Sequence, residues 1–308
     1  TIGGLMRIQG KLNMSVFIEA IKMVVQMSDS LRMRIVEMDE VPYQYPHPYI
    51  DEYVEYVDLS WGGEECLQEW QREIMHSAIM LIDSPLCRFY VYKLNESENG
   101  FLLKTHHIIA DGWSTAIIEK QIISIYESTL KGEAKKSDVI YSYIEYLTRE
   151  SQYLNSKWAE KDRKFWNDRF QFLPDTMTPA KIKSTGGKRE KHILSSSIYN
   201  KIKIFLKESG ISLPVFFMAA NLLYIYIARS IEDIIIGIPI HNRSGFRDKN
   251  TIGMYTSTMP FRFRINRNST LDDFLADVRS ELIKYLRHQK YPYDLLVREI
   301  ELRKKGFD

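Results

Sequence analysis

The segment Thr105-His106-His107-Ile108-Ile109-Ala110-Asp111-Gly112-Trp113-Ser114 concentrates more chemically useful side chains than any other part of this sequence. It follows a strand-like apolar run and precedes a helical pattern that begins at Ser114. Successive strand residues point to opposite faces, so a strand reaching His107 would present only one histidine to a given cleft. We therefore predict that one histidine performs chemistry and that the other supports it.

Residue types alone leave three interpretations of this pair open. The two histidines could close a strand as core residues, or one of them could bind a metal together with Asp111. One could also act as a general base in acyl transfer, since a histidine pKa of about 6.5 allows proton uptake near neutral pH. Asp111 and Gly112 suit the following turn, because Asp forms local hydrogen bonds and Gly permits close approach to the backbone.

Composition indicates a globular protein with one large domain or two lobes. The chain has 308 residues, 44% apolar and 27% charged, and its 42 basic and 40 acidic side chains nearly cancel. This balance gives no reason to expect a nucleic acid partner. The apolar residues 213–228 are too few to span a bilayer, which needs about 20, and predict a buried helix. Cys66 and Cys87 lack metal-type spacing and are typical of reduced thiols in a cytoplasmic protein.

Apolar periodicity predicts an α+β chain. Strands are expected over residues 4–10, 31–38, 53–58, 86–94, 100–107, 234–239 and 258–265. Helices are expected over residues 13–28, 64–77, 114–131, 139–172, 199–209, 216–229 and 271–289. Residues 86–94 and 100–107 should form a hairpin, whereas the Pro- and Tyr-rich residues 42–48 are predicted to be a turn region.

A linker is predicted over residues 174–191, which hold two prolines, a Gly-Gly pair and five basic residues without apolar periodicity. It would separate an N-terminal lobe over residues 1–173 from a C-terminal lobe over residues 192–308. Both ends of the chain look abrupt. We therefore expect a fragment of a longer protein with a truncated second lobe.

The motif H-H-x-x-x-D-G resembles the signature of nonribosomal peptide synthetase condensation domains and of the wider chloramphenicol acetyltransferase-like superfamily. Further segments resemble condensation-family motifs in the same order, over nearly the whole chain. They are Leu31-Arg32-Met33-Arg34-Ile35, Tyr143-Ile144-Glu145-Tyr146, Phe165-Trp166, Gly237-Ile238-Pro239-Ile240-His241-Asn242-Arg243, Ile252-Gly253-Met254-Tyr255-Thr256-Ser257-Thr258 with Arg262, and His288-Gln289-Lys290-Tyr291-Pro292-Tyr293-Asp294.

The resemblance implies two acetyltransferase-like lobes in a V, with the histidine motif at the floor of a tunnel. It implies that His107 deprotonates or orients the acceptor amine, with His106 in support. Donor and acceptor would arrive as thioesters on the phosphopantetheine arms of carrier domains. The implied partners are therefore these carrier domains and neighbouring synthetase domains, with no metal, no directly bound cofactor, no nucleic acid and no membrane.

The resemblance also implies roles for the residues around the histidines. Asp111 would be structural and held by an arginine, for which we favour Arg32 over Arg243 and Arg262. Gly112 would leave room for the arm. Trp113, Ser114, Tyr255 and Ser257 are candidate tunnel residues, although Trp113 and Tyr255 also suit a core and Ser114 a helix cap.

Several positions depart from the family pattern. Met27-Ser28-Asp29 stands where the family has R-H-E, Ser257 where it has Asn, and Lys290 where it has Asp. An early and a late family motif are also missing. The predicted function is amide-bond formation by an acyltransferase. The alternatives are a free-standing coenzyme A-dependent acyltransferase and a non-catalytic docking module.

Overall fold

The computed structural model describes residues 1–133, 140–174 and 190–299, and the chain divides into two compact units. Unit 1 consists of Thr1–Gln152 and Arg243–Thr256, and unit 2 of Tyr153–Asn242 and Ser257–Asp308. The first unit therefore ends earlier than the predicted boundary at residue 173, because Trp166 and Phe170 pack in the core of unit 2. Residues 175–189 of the predicted linker lie outside the described residues.

Unit 1 is built on a sheet of four strands in the order β1-β6-β5-β4. Strand β6 is antiparallel to both of its neighbours, β1 and β5, and β4 is parallel to β5. The predicted hairpin of β5 and β6 is thereby confirmed. In chain order the elements are β1 (Ile2–Gln9), α1 (Met14–Met27), β2 (Met33–Met38), β3 (Val41–Pro46), β4 (Val54–Asp58), α2 (Gly63–His76), β5 (Cys87–Lys93), β6 (Glu98–Thr105), α3 (Gly112–Leu130) and α4 (Tyr143–Leu154), whose last residues enter unit 2.

The core of unit 1 lies where α1 and α3 pack together and against the sheet. Asn13 begins α1 by accepting a hydrogen bond from the Val16 amide at 3.3 Å, as expected for an N-cap. Helical spacing in the sequence predicts an inward stripe on each helix, and burial confirms it for all but one residue. The buried residues are Phe17, Ile21, Val24 and Val25 on α1, and Ile117, Ile118, Gln121, Ile122 and Ile125 on α3. Tyr126, the last residue of the predicted α3 stripe, is partly buried and packs against this core.

The prediction of a turn region over residues 42–48 was wrong for most of its length. Strand β3 occupies Val41–Pro46 and pairs antiparallel with β2. The actual turn is Asp39-Glu40, whose positive φ angles of 53° and 61° are typical of a tight hairpin. The prolines are tolerated because β3 pairs on only one side, so an edge strand can lack amide donors.

Unit 2 packs helices around a two-stranded antiparallel sheet. Its elements are α5 (Lys157–Phe170), α6 (Ser196–Ser209), α7 (Leu213–Arg229), β7 (Asp233–Ile240), β8 (Ser257–Arg264), α9 (Leu271–Leu286) and α10 (Tyr293–Glu299); the short helix α8 (Phe246–Lys249) belongs to unit 1. The predicted helix over residues 139–172 is thus two helices in its described part. The prediction that the apolar helix is buried holds for one face of α7, since Leu222 is buried while Tyr224 and Ile227 are 71% and 75% exposed.

Within the described ranges, no single helix has the length and apolar character to cross a membrane. Helices α6 and α7 meet the length and composition criteria only as a pair bent by 102°.

Candidate active site

The histidine pair lies in the connection between β6 and α3. Strand β6 ends at Thr105, so the alternation of strand side chains, on which the sequence argument relied, does not extend to the histidines. The His106 amide donates to the Leu86 carbonyl at 2.7 Å, and the Ile109 amide donates to the His106 carbonyl at 3.2 Å. These backbone bonds fix a turn in which the two rings have different environments.

The ring of His106 is partly buried and bonded to its own turn. Its Nδ1 lies 3.2 Å from the Ile108 amide nitrogen, which donates to it. Burial lowers the pKa of His106. His106 is therefore a neutral ring whose Nδ1 is already engaged.

His107 has the opposite environment. Its side chain is exposed, and its ring forms no hydrogen bond with any residue that the structure describes. A neutral imidazole in this position has an unengaged nitrogen with which to accept a proton. Of the two histidines, His107 is the one available to an incoming group.

Asp111 is completely buried and caps α3. Its Oδ1 accepts from the amide and hydroxyl of Ser114, both at 2.8 Å. Its Oδ2 accepts from the amides of Tyr255 and Thr256 and from the Thr256 hydroxyl, each at 3.2 Å. Burial alone would raise the pKa of Asp111, but the Ser114 hydrogen bonds and the Arg243 charge outweigh it, so the pKa is lowered.

The arginine that holds Asp111 is Arg243, and the prediction of Arg32 was wrong. Arg243 Nη2 lies 3.0 Å and 3.2 Å from the two carboxylate oxygens, and both side chains are completely buried. Arg32 instead donates from Nε to the Val25 carbonyl at 3.2 Å and from Nη1 to the His47 carbonyl at 2.6 Å. Arg32 therefore binds backbone oxygens in the last turn of α1 and just after β3, not Asp111.

Ser114 and Tyr255 are packed too deeply for their predicted place in a substrate tunnel. The Ser114 hydroxyl lies 2.8 Å from both Asp111 Oδ1 and the Gly253 carbonyl and donates its single proton to one of them at a time, while the Gly253 amide donates to it at 3.0 Å. The Tyr255 ring is 2% exposed and lies 4.1 Å from the Arg243 guanidinium, a cation–π distance. Both side chains anchor the buried pair.

The remaining predicted site residues are more accessible. Trp113 is 42% exposed, and its Nε1 donates to the Lys249 carbonyl at 3.0 Å. A Cβ added at Gly112 would meet nothing within 4 Å, so space beside the first turn of α3 is open. Ser257 is half-buried at the start of β8, opposite Ile240, and belongs to unit 2.

The sequence did not reveal how closely residues 243–256 pack against the rest of unit 1. A Cβ on Gly253 would lie 2.2 Å from the Tyr143 ring, so only glycine fits there. The Tyr143 hydroxyl donates to the Met254 carbonyl at 3.0 Å. Both residues stood in segments that matched the family's motifs, but nothing in the sequence indicated that the two segments touch.

Asp29 also has a role that the sequence did not reveal. Its carboxylate accepts from the amides of Tyr143 and Ile144 at 2.9 Å and 3.3 Å, and from the Ser142 hydroxyl. These groups form the N-terminus of α4, where a negative charge is favourable. The departure from R-H-E at residues 27–29 therefore leaves a carboxylate that caps a distant helix.

Known proteins resemble this chain over nearly its whole length. A protein-family model described as "Condensation domain" matches residues 3–307. Surfactin synthase subunit 1 of Bacillus subtilis (strain 168) is 30% identical over 94% of this chain, and a plipastatin synthase subunit of the same organism is 30% identical over 97%. The chain spans only 8% and 12% of these two relatives.

Solved structures match the fold to a similar extent. The first condensation domain of the calcium-dependent antibiotic synthetase gives a TM-score of 0.82 at 20% identity, with 97% of this chain and 71% of that one covered. VibH, an NRPS condensation enzyme, gives 0.81 at 22%, covering 99% and 70%. A starter condensation domain of rhizomide synthetase, solved with C8-CoA, gives 0.81 at 22%, covering 97% and 69%. These matches confirm the predicted α+β acetyltransferase-like fold class.

Proposed function

The chain belongs to the condensation domain family, and on that premise we propose that it forms amide bonds between two thioester substrates. The donor is an acyl or peptidyl thioester, and the acceptor is an aminoacyl thioester whose amine is the nucleophile. The observation that carries this proposal is the contrast between His107, exposed with its ring unengaged, and the buried cluster around Asp111 that fixes its turn.

The proposed reaction is an acyl transfer assisted by a base. The acceptor amine attacks the donor carbonyl, a C–N bond forms, and the nitrogen must release a proton. His107 either accepts this proton or orients the amine so that the proton can be released. The C–S bond then breaks, and the thiolate that leaves becomes protonated. A positioned base typically contributes a rate factor of about 10² to 10⁴.

The other motif residues act by position. Asp111 has its oxygens occupied by Ser114, Tyr255, Thr256 and Arg243, so it is not available to substrate. It holds the start of α3 and hence the turn that carries His107. Gly112 leaves the approach to this turn free of side-chain atoms.

The proposed partners are carrier domains that present both substrates on phosphopantetheine arms, together with neighbouring synthetase domains. The named relatives are synthetase proteins much longer than this chain, which supports a multidomain setting. A cytoplasmic location remains a prediction from composition.

The test is a single-turnover assay with one carrier domain loaded with a donor acyl group and another with an aminoacyl group. We expect His107→Ala to reduce the rate of amide formation by about 10² or more. The exposed His192 offers a matched control, so His192→Ala should transfer at the unchanged rate. Undiminished product from correctly folded His107→Ala protein would refute the assigned role.

A second candidate function is acyl transfer from coenzyme A thioesters. It is suggested by the similar rhizomide synthetase domain, whose structure was solved in complex with C8-CoA. Supplying the donor as an acyl-coenzyme A in the same assay separates the two. Efficient turnover without a donor carrier domain would favour this alternative. Absence of transfer from either donor would favour a docking module.

A further inference from the structure

A partly polar cavity lies in unit 1, on the face of the sheet that α2 covers. Arg88 and Tyr90 alternate along β5 with the core residues Cys87 and Phe89, and therefore point to the other face. The cavity has a volume of about 240 Å³. Its lining includes Ser77, Ile79, Met80, Pro85, Arg88 and Lys104.

Two cations face this cavity from neighbouring strands. Arg88 on β5 is directly opposite Lys104 on β6 in the antiparallel register. Like charges directly opposite each other on one face of a sheet repel and destabilise the pairing. This arrangement calls for a compensating negative charge.

Lys104 is only 3% exposed, and its ammonium is saturated with hydrogen bonds. It donates to the Ile74 carbonyl at 2.6 Å and to the carbonyl and hydroxyl of Ser77. These oxygens lie at the C-terminal end of α2, whose partial negative charge is about half an elementary charge. Burial lowers the pKa of Lys104, and the Arg88 charge acts in the same direction.

Arg88 is half-buried and forms neither a hydrogen bond nor an ion pair with any residue in the described part of the chain. The single carboxylate in the loop over residues 77–86 belongs to Asp83. Asp83 is instead bonded to Arg34 at 3.4 Å and to the Tyr45 hydroxyl at 3.4 Å. The guanidinium therefore keeps its full donor capacity for a ligand.

We propose that this cavity binds an oxyanion, either a carboxylate or a phosphate group, on the Arg88 guanidinium. The planar fork of an arginine can engage two oxygens of such a group at once. Lys104 contributes charge without a direct bond, because its three N–H groups are already used. Ile79, Met80 and Pro85 form apolar walls for the part of the ligand that carries the oxyanion.

The experiment is calorimetric titration of the whole chain with inorganic phosphate and, separately, with propionate, at constant ionic strength. We expect saturable binding with one site for the preferred anion. Arg88→Gln should weaken that binding at least tenfold, and Arg88→Lys, which keeps the charge but loses the fork, should weaken it less. Tighter binding of phosphate or of propionate identifies which oxyanion the site takes.

Arg72→Gln is the matched control, since Arg72 is exposed on the nearby helix α2 and loses the same charge. Its affinity should stay within twofold of the wild-type value. The proposal is overturned if neither anion binds saturably, or if Arg88→Gln binds as tightly as wild type. If Arg88→Gln does not fold, unchanged binding by Arg88→Lys overturns it equally. None of these outcomes depends on amide-forming activity.

Discussion

At the scale of single residues, the molecule is organised around one buried ion pair. Asp111 and Arg243 are both fully removed from solvent, and every polar contact of the carboxylate comes from groups fixed by α3 or by residues 243–256. Removing two charges from water is costly and is offset only when geometry and hydrogen bonding are nearly complete. Loss of one partner leaves the other as an uncompensated buried charge.

A double-mutant cycle tests this pair. Arg243→Met alone leaves a buried carboxylate without its counter-charge and should lower the free energy of unfolding by about 3–5 kcal/mol. Asp111→Asn combined with Arg243→Met should cost less than the sum of the two single changes, because no uncompensated charge remains. Urea unfolding of the four proteins provides the measurement, and strict additivity would contradict the coupling.

The lowered pKa of Asp111 predicts a pH dependence. A carboxyl group whose pKa is depressed by folding stabilises the protein above its unfolded pKa, about 3.9, and this contribution is lost as the pH falls through the folded value. Below about pH 5, the free energy of unfolding should therefore fall more steeply with decreasing pH for wild type than for Asp111→Asn. Equal slopes would show that Asp111 is not linked to acid sensitivity.

At the scale of elements, helix α4 begins on a charge supplied by a residue more than a hundred positions away. Asp29 caps it, and the stacked rings of Tyr143 and Tyr146 then present an aromatic surface to Tyr255, whose centroid lies 4.0 Å from that of Tyr146.

Element positions could be predicted well where periodicity was strong, as in α1 and α3. The prediction failed at β3. Most residues of this strand are exposed, so its sequence lacks the apolar alternation that indicates a half-buried strand.

Removing the cap should weaken α4. Asp29→Ala deprives the helix of a carboxylate that accepts two of its first amides, and should lower the free energy of unfolding by about 0.5–2 kcal/mol. Asp29→Asn retains an acceptor and should cost less. Urea unfolding followed by circular dichroism measures both changes, and an Asp29→Ala protein as stable as wild type would rule out the capping role.

At the scale of the whole molecule, the boundaries of the units do not follow the order of the chain. Residues 243–256 come from its second half and complete the first unit. The histidine motif could be predicted from sequence because its chemistry is local. The partner of Asp111 could not be chosen among Arg32, Arg243 and Arg262, because long-range topology decides which guanidinium reaches a buried carboxylate.

The close packing of residues 243–256 is testable at Gly253. Gly253→Ala would place a Cβ 2.2 Å from the Tyr143 ring, and overpacking of this kind typically costs about 1–3 kcal/mol. We expect a clearly lower melting temperature in thermal unfolding. Gly4→Ala is the control, since a Cβ there meets nothing within 4 Å, and it should melt close to wild type. A Gly253→Ala protein that melts like the control would mean that the segment is not closely packed.

The distance along the chain between Asp111 and Arg243 also has a consequence for biosynthesis. Arg243 is 132 positions after Asp111, so at roughly 5–20 residues per second a ribosome reaches it about 7–26 s later. Throughout that interval Arg243 is not yet available to the carboxylate. Unit 1 can therefore reach its final packing only after residues 243–256 have been translated.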